Sequence, residues 1–297
     1  MKTRKHITIR NTMPYLLLIP AVFFLAVFMF YPLVSVFKYA TWYYKSTDFK
    51  RRGYIGFENF QKLATDQTFL NSFGISAKWV LTQVIAQLIL GMSLALLLDQ
   101  KFFGRGLYRC IVFFPWAISG VLTSLLWSLI YNGNSGFLNG VLKSLGIIEK
   151  GISWTADTKI AFWATCVAEI WRGIPFFAIT LLAAMQNISP DLHEACVVDG
   201  GNLAQEIFLI KIPLLKDTII FTTLLRSIWE FNNVDLIFTL TGGGPAGKTM
   251  TLTMYMTDLS VNNGNYGYGA TIAVIAFLIL LVFATIYLSL TGYAKED

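Results

Sequence analysis

Long apolar runs separated by short polar breaks dominate the chain. Crossing the hydrocarbon core of a bilayer takes about 20 apolar residues in helical form. Six stretches meet that requirement: Pro14–Phe37, Ser76–Leu98, Cys110–Ile130, Ile160–Ala184, Ile219–Leu240 and Ala270–Leu290. The second, third and fifth carry scattered polar residues, as expected of helices that face a protein interior. The sixth is the most uniformly apolar in its C-terminal half and is expected to touch lipid. The pattern predicts an all-α integral membrane protein with six transmembrane helices. The first run is longer than a signal core and no small-x-small cleavage site follows it, so it reads as a retained anchor.

Composition agrees. Of 297 residues, 55% are hydrophobic and 13% charged, where a soluble chain would carry about 25% charged residues. The net charge of +6 is spread over loops, and no basic block suggests nucleic acid. Cys110, Cys166 and Cys196 are odd in number and far apart, and read as small packing residues rather than a disulfide framework or zinc site. With only two histidines, His6 and His193, a histidine-based metal site is not expected. Six spans place both termini on one side. Basic residues divide almost evenly between the sides, but short segments flanking the first three spans (Lys2, Arg4, Lys5, Arg10; Lys101, Arg105, Arg109) favour a cytoplasmic N-terminus. The organisation expected is residues 1–68, with the first span and first outside loop, followed by a five-helix core over 69–297. Outside loops 39–68 and 131–157 hold aromatic pieces suited to the membrane interface. The second also carries a short amphipathic helix (Phe137, Leu138, Val141, Leu142, Leu145).

One polar stretch, residues 187–215, lies between the fourth and fifth runs. Ser189 is a helix cap, and Pro190 suits the first turn because its missing N–H would be unbonded there anyway. Asp191 and Glu194 favour the positive end of that helix. Asp199-Gly200-Gly201 breaks it. A second short amphipathic helix (Leu203, Ile207, Ile210) is expected to stop by Pro213. The stretch is too long for a turn and suggests a docking surface.

Glu194-Ala195-Cys196-x-x-Asp199-Gly200, nine residues, then Ile210-x-Ile212-Pro213 resembles the EAA loop of binding-protein-dependent ABC import permeases. The family pattern has Ala where Cys196 stands and Leu where Ile212 stands; both exchanges keep size and polarity close. The resemblance implies a type I ABC importer permease fold and a multi-pass location in the bacterial cytoplasmic membrane. It implies a coupling helix seated in a groove of a cytoplasmic ATPase, with Glu194, Ala195, Cys196, Asp199, Gly200, Ile210 and Pro213 at the docking positions. It further implies a second homologous permease subunit, two ATPase subunits that hold the ATP and magnesium, and an extracytoplasmic solute-binding protein. This chain itself would bind no cofactor or metal and perform no covalent chemistry.

Charges near mid-bilayer cost at least about 2.5–3.5 kcal/mol each and need a reason. Glu169 and Arg172 are three apart in the fourth run. Arg226 and Glu230 are four apart in the fifth, with Asn233 continuing their face. Each pair shares a helix face. Two matched polar faces are compatible with a water-accessible path or with ion pairs that only lock the packing. Trp171-Arg172-Gly173-Ile174-Pro175-Phe176 is expected to kink the fourth helix, with Gly173 admitting a ligand close to the backbone. This segment and Ser227-Ile-Trp229-Glu230-Phe231-Asn232-Asn233 look like the sugar-lining segments of maltose-type carbohydrate permeases. The resemblance places Arg172, Gly173, Phe176, Arg226, Trp229, Glu230 and Asn233 at lining positions, with Glu169 beside them. This chain has charges where that type has neutral residues. They either neutralise one another or answer an acidic group on the substrate, as in a permease for glycerol phosphate or an acidic sugar. An ATPase-independent carrier is the remaining alternative.

Gly242-Gly-Gly-Pro-Ala-Gly247-Lys248-Thr249 matches the spacing of a phosphate-binding loop. It follows the end of an apolar span rather than a buried strand, and on the assumed orientation it faces outward, so it is read as no nucleotide site. Residues Leu240–Pro245 look instead like the turn that follows a span in sugar-type import permeases.

Overall fold

The computed structural model describes residues 9–100 and 102–292. His6 and the orientation markers Lys2, Arg4, Lys5 and Lys101 lie outside them. Helices α1 (Ile9–Leu25) and α2 (Tyr31–Ala40) are joined by a π-turn, Ala26–Phe30, so that Tyr15–Ala40 is one apolar helix of 26 residues. The wider turn absorbs the missing N–H of Pro32. A two-stranded antiparallel ribbon, β1 (Trp42–Tyr43) with β2 (Gly53–Tyr54), pairs Trp42 with Tyr54 and precedes α3 (Glu58–Ala64). The Asn59 amide donates to the carbonyls of Ala40 and Trp42, each at 3.1 Å.

The longest helix, α4 (Gln67–Asp99), is capped by the Asp66 carboxylate, which accepts from the Thr68 N–H at 2.8 Å. The third apolar run is not one straight helix: α5 (Arg105–Ala117) and α6 (Gly120–Ile130) meet at 98°. Pro115 weakens the end of α5 by removing a donor, and the Ser119 hydroxyl then caps α6 by accepting from the Leu122 N–H. The amphipathic piece forms α7 (Phe137–Ser144), and α8 (Ala161–Met185) follows. Pro175 lies inside α8, which continues through it as one helix, so the chain is not interrupted there.

The polar stretch forms α9 (Pro190–Val198), α10 (Leu203–Gln205), a π-turn over Glu206–Lys211 and α11 (Ile212–Leu214). The second helix thus runs through Pro213, because the π-turn precedes the proline and supplies the slack. Next come α12 (Lys216–Phe231) and α13 (Asp235–Leu240), so the fifth apolar run is divided at residues 232–234. The chain closes with α14 (Leu252–Thr257) and α15 (Tyr266–Thr291). Among the described residues, four helices are individually long and apolar enough to cross a bilayer, and the bent α5–α6 pair makes a fifth when counted as one span. The remaining run, the fifth, is the divided one.

The chain forms two units. One contains the residues up to Thr65 with Asp258–Ile275, and the other Asp66–Thr257 with Ala276 onward. The first centres on Ala40, Ala270 and Val274, where the Thr271 hydroxyl donates to the Ala40 carbonyl at 3.1 Å. The second is built on α4 against α8. Lipid is as apolar as leucine, so close packing rather than exclusion from water holds such helices together. Gly91 makes the approach possible: a Cβ there would lie 2.5 Å from that of Phe177 and 3.1 Å from the Ile174 carbonyl. Val84, Leu98, Phe177, Leu181 and Met185 fill the contact.

Candidate functional site

The two in-helix charge pairs expected from spacing are present, and they meet. On α8, Arg172 holds Glu169 in a two-point contact, Nε to Oε2 at 2.8 Å and Nη2 to Oε1 at 2.7 Å. On α12, Arg226 Nη2 lies 2.6 Å from Glu230 Oε1. The same Nη2 reaches across to Glu169 Oε1 at 3.0 Å, so Arg226 bridges the helices. Glu169, Glu230 and Arg226 are buried, whereas the Arg172 side chain keeps 21% of its surface exposed. Two guanidiniums against two carboxylates leave the quartet without net charge.

A third helix completes the network. From α4, Trp79 Nε1 donates to Glu230 Oε2 at 3.1 Å, and Gln87 Oε1 accepts from Arg226 Nε at 2.7 Å. Gln87 Nε2 lies 3.1 Å from Glu230 Oε1 and 3.0 Å from Gln83 Oε1. Gln83 Nε2 in turn donates to the Cys166 carbonyl at 3.2 Å. A buried ion pair needs its spare lone pairs and protons satisfied, and this amide stripe does that. Sequence reasoning missed Trp79, Gln83 and Gln87. Their spacing of four along an otherwise apolar helix was the available signal.

The quartet opens on a cleft of about 180 Å³ lined by Glu169, Arg172, Arg226, Trp229, Glu230, Asn233 and the residues at the α12–α13 break, Asn232, Val234 and Asp235. The Asn233 amide lies 3.4 Å from Glu230 Oε2. Two of the proposed lining residues do not line it. Gly173 is buried, and a Cβ there would collide with the Gln87 side chain and the Arg226 guanidinium. Gly173 therefore makes room for protein side chains, not for a ligand. Phe176 is also buried, stacked at a tilt on Trp229 with ring centroids 5.1 Å apart. Asp235 was missed because it fell inside an apparently continuous span.

The residues expected at the docking positions lie apart from this cleft on a mostly exposed loop. Ser189 Oγ accepts from the Asp191 N–H at 3.3 Å, as the cap expected. Glu194, Ala195, Asp199 and Gly200 are exposed and Cys196 is half-buried. Val197, Val198 and Leu203 are 60%, 85% and 62% exposed, an apolar surface at the helix end. Gly200 has φ +75°, which only glycine adopts without strain. Gly201 N–H donates to the Cys196 carbonyl at 2.8 Å, closing the helix. Ile210 is half-buried and Pro213 exposed.

A charged brace ties this loop to the end of α4. Lys211 Nζ lies 3.1 Å from Asp99 Oδ2 and 3.2 Å from Glu206 Oε1, and His193 Nδ1 lies 3.1 Å from the same Glu206 oxygen. Burial by itself would raise the Glu206 pKa, but the bonds from Lys211 and His193 outweigh it and hold it below the usual carboxylate range. Burial would lower Lys211, yet its bonds to Asp99 and Glu206 raise it. Glu206 and Lys211 are five apart, a spacing that only the π-turn brings to one side, so an ordinary helical reading passes over them.

The phosphate-loop lookalike follows α13, a helix rather than a strand. Its Thr249 hydroxyl is buried against the Gly244 carbonyl at 2.7 Å and the Thr241 hydroxyl at 2.7 Å.

Comparison with known proteins agrees with this architecture. The chain is 31% identical over 282 residues to a trehalose/maltose transport system permease protein of Thermococcus litoralis, covering 95% of this chain and 94% of that one. It is 32% identical to a sulfoquinovosyl glycerol transport system permease protein of Agrobacterium fabrum, covering 92% and 88%. It is 29% identical to a diacetylchitobiose uptake system permease protein of Streptomyces coelicolor, covering 96% and 88%. In fold it is similar to a chain of a bacterial ABC transporter involved in the import of the acidic polysaccharide alginate, with a TM-score of 0.84, 20% identity and 97% of each chain covered. Residues 87–293 match the family described as binding-protein-dependent transport system inner membrane component. The chain belongs to that family: it is a multi-pass membrane permease of an ABC importer, and not an enzyme.

Proposed function

We propose that the chain is one of two permease subunits through which a saccharide enters the cell, the N-terminus lying in the cytoplasm. A solute-binding protein delivers the cargo from outside. Two ATPase subunits, carrying the ATP and magnesium, grip residues 187–215. The observation that carries this reading is connectivity. The exposed loop joins α8 directly to α12, and those two helices hold the opposite halves of the charged quartet. A displacement of α9 is therefore delivered to the cleft by the two helices that form it. Trp229 and the amides and charges around it offer a ring face and hydrogen-bonding groups, the two things a sugar needs. The carbohydrate cargoes of the relatives support the same class. Both guanidiniums are already engaged by carboxylates, so the cleft itself does not read an anion.

Gly200→Val tests the docking role. No side chain crowds that position, so the change acts through the positive φ and the exposed surface. Uptake of a radiolabelled disaccharide by the assembled importer in vesicles, and retention of the ATPase during purification, are both expected to fall. Wild-type uptake with the ATPase retained would refute the reading.

A further inference from the structure

A second cavity, of about 590 Å³, lies at the opposite end of α8 from the docking loop and is lined by Lys78, Lys159 and Lys248 together with Phe162 and Trp163. Lys78 is on α4, within a helix apolar enough to cross a membrane, where an ammonium needs a reason. Its Nζ lies 4.3 Å from the Phe162 ring centroid and 4.6 Å from that of Trp163. Ring faces attract a cation but do not neutralise it. Among the described residues, none of the three lysines forms an ion pair with a carboxylate. The neighbouring Asp157 uses Oδ1 to accept from the Lys159 backbone N–H at 2.7 Å. Lys248 is presented by the phosphate-loop lookalike, whose turn is fixed by positive φ at Ala246 and Gly247 and by the buried Thr249 hydroxyl. Trp163 is half exposed and lines the cavity.

Three lysines line one concavity together with Trp163, one face of whose indole is taken by Lys78. An acidic sugar has an oxyanion for the lysines and a ring face for the indole. We infer that this cavity binds the anionic group of an acidic saccharide at the outward mouth of the permease, before the neutral cleft is reached. The inference rests on the saccharide reading and on the proposed orientation for its place in transport, but binding itself needs neither partner subunits nor ATP.

The test uses the full chain in phosphatidylcholine nanodiscs, titrated calorimetrically with digalacturonate and with uncharged galactobiose. Digalacturonate is expected to bind and galactobiose to bind far more weakly. Lys78→Gln, Lys159→Gln and Lys248→Gln should each weaken digalacturonate by roughly tenfold. Lys78→Arg, which keeps the charge, should retain most of it. Lys248→Gln sits on an exposed turn and tests the site even where Lys78→Gln disturbs the membrane fold. Digalacturonate binding unchanged in the triple Lys→Gln chain overturns the proposal, as does equal binding of galactobiose. Lysine-dependent retention of phosphatidylglycerol that excludes digalacturonate would overturn it in favour of a lipid headgroup. Failure here leaves the Gly200→Val uptake result untouched, so the two readings fall separately.

Discussion

Arg226 and Arg172 are both guanidiniums facing Glu169, yet their surroundings give them different weights. Arg226 contacts two carboxylates and Gln87 while almost fully buried. Arg226→Ala leaves Glu169 and Glu230 short of a partner, and breaking a buried pair in this way costs about 3–5 kcal/mol. Arg172 is partly exposed, and in Arg172→Ala Glu169 still has Arg226. Its loss should cost about 1–2 kcal/mol, with the main effect on uptake. Denaturant melts of the two variants in detergent check this, and equal losses would contradict the asymmetry. The four charged positions were legible in the sequence because spacings of three and four put each pair on one face. The bridge between the pairs was not legible, since it depends on how α8 and α12 face each other. Gly173 misled for the same reason: the sequence shows that small size is needed there, but not whether a ligand or a neighbouring arginine fills the space.

At the scale of elements, apolar runs and caps located the helices well, and the differences are interruptions within runs. The fifth run is divided at residues 232–234, and two prolines behave differently: α8 continues through Pro175, while Pro115 precedes a 98° bend. A proline removes one bond in either setting. The outcome depends on what packs beside the proline, and α8 is packed closely on α4 at Gly91, against Ile174 and Phe177. Gly91→Leu should therefore destabilise by about 1–3 kcal/mol through overpacking. A full loss of monodisperse protein, or a lowered melting temperature, is the expected readout, and no change would show that α4 and α8 are not so close. The brace beneath the exposed loop makes a pH prediction. Glu206 has a lowered folded pKa, so its contribution is complete above its unfolded value of about 4.3 and is lost as pH falls through the lower folded one. Lys211 has a raised one, so its contribution is complete below about 10.4 and is lost as pH rises through the folded value. In Lys211→Met the lowering of Glu206 is largely removed, so the melting temperature should be lower near neutral pH and its fall on acidification smaller, measured as melting temperature against pH. An acid fall of unchanged size would mean that the brace is idle.

For the molecule as a whole, the structure of loop 187–215 was the most legible part, because its cap, helix and glycine break are local in sequence. The site was less so, because it draws on α4, α8, α12 and the break after α12, elements distant in sequence. The lysine cavity was invisible for the same reason, assembled from residues 78, 159 and 248. The charged quartet has one further consequence. A single elementary charge moved across a membrane potential gains or loses roughly 2.3 kcal/mol per 100 mV. Two arginines and two glutamates travelling together feel no such force. On the proposed mechanism the electric field across the membrane therefore gains no hold on this quartet, and a voltage dependence of uptake would have to come from other charges, such as Asp235 and Lys78, or from the cargo.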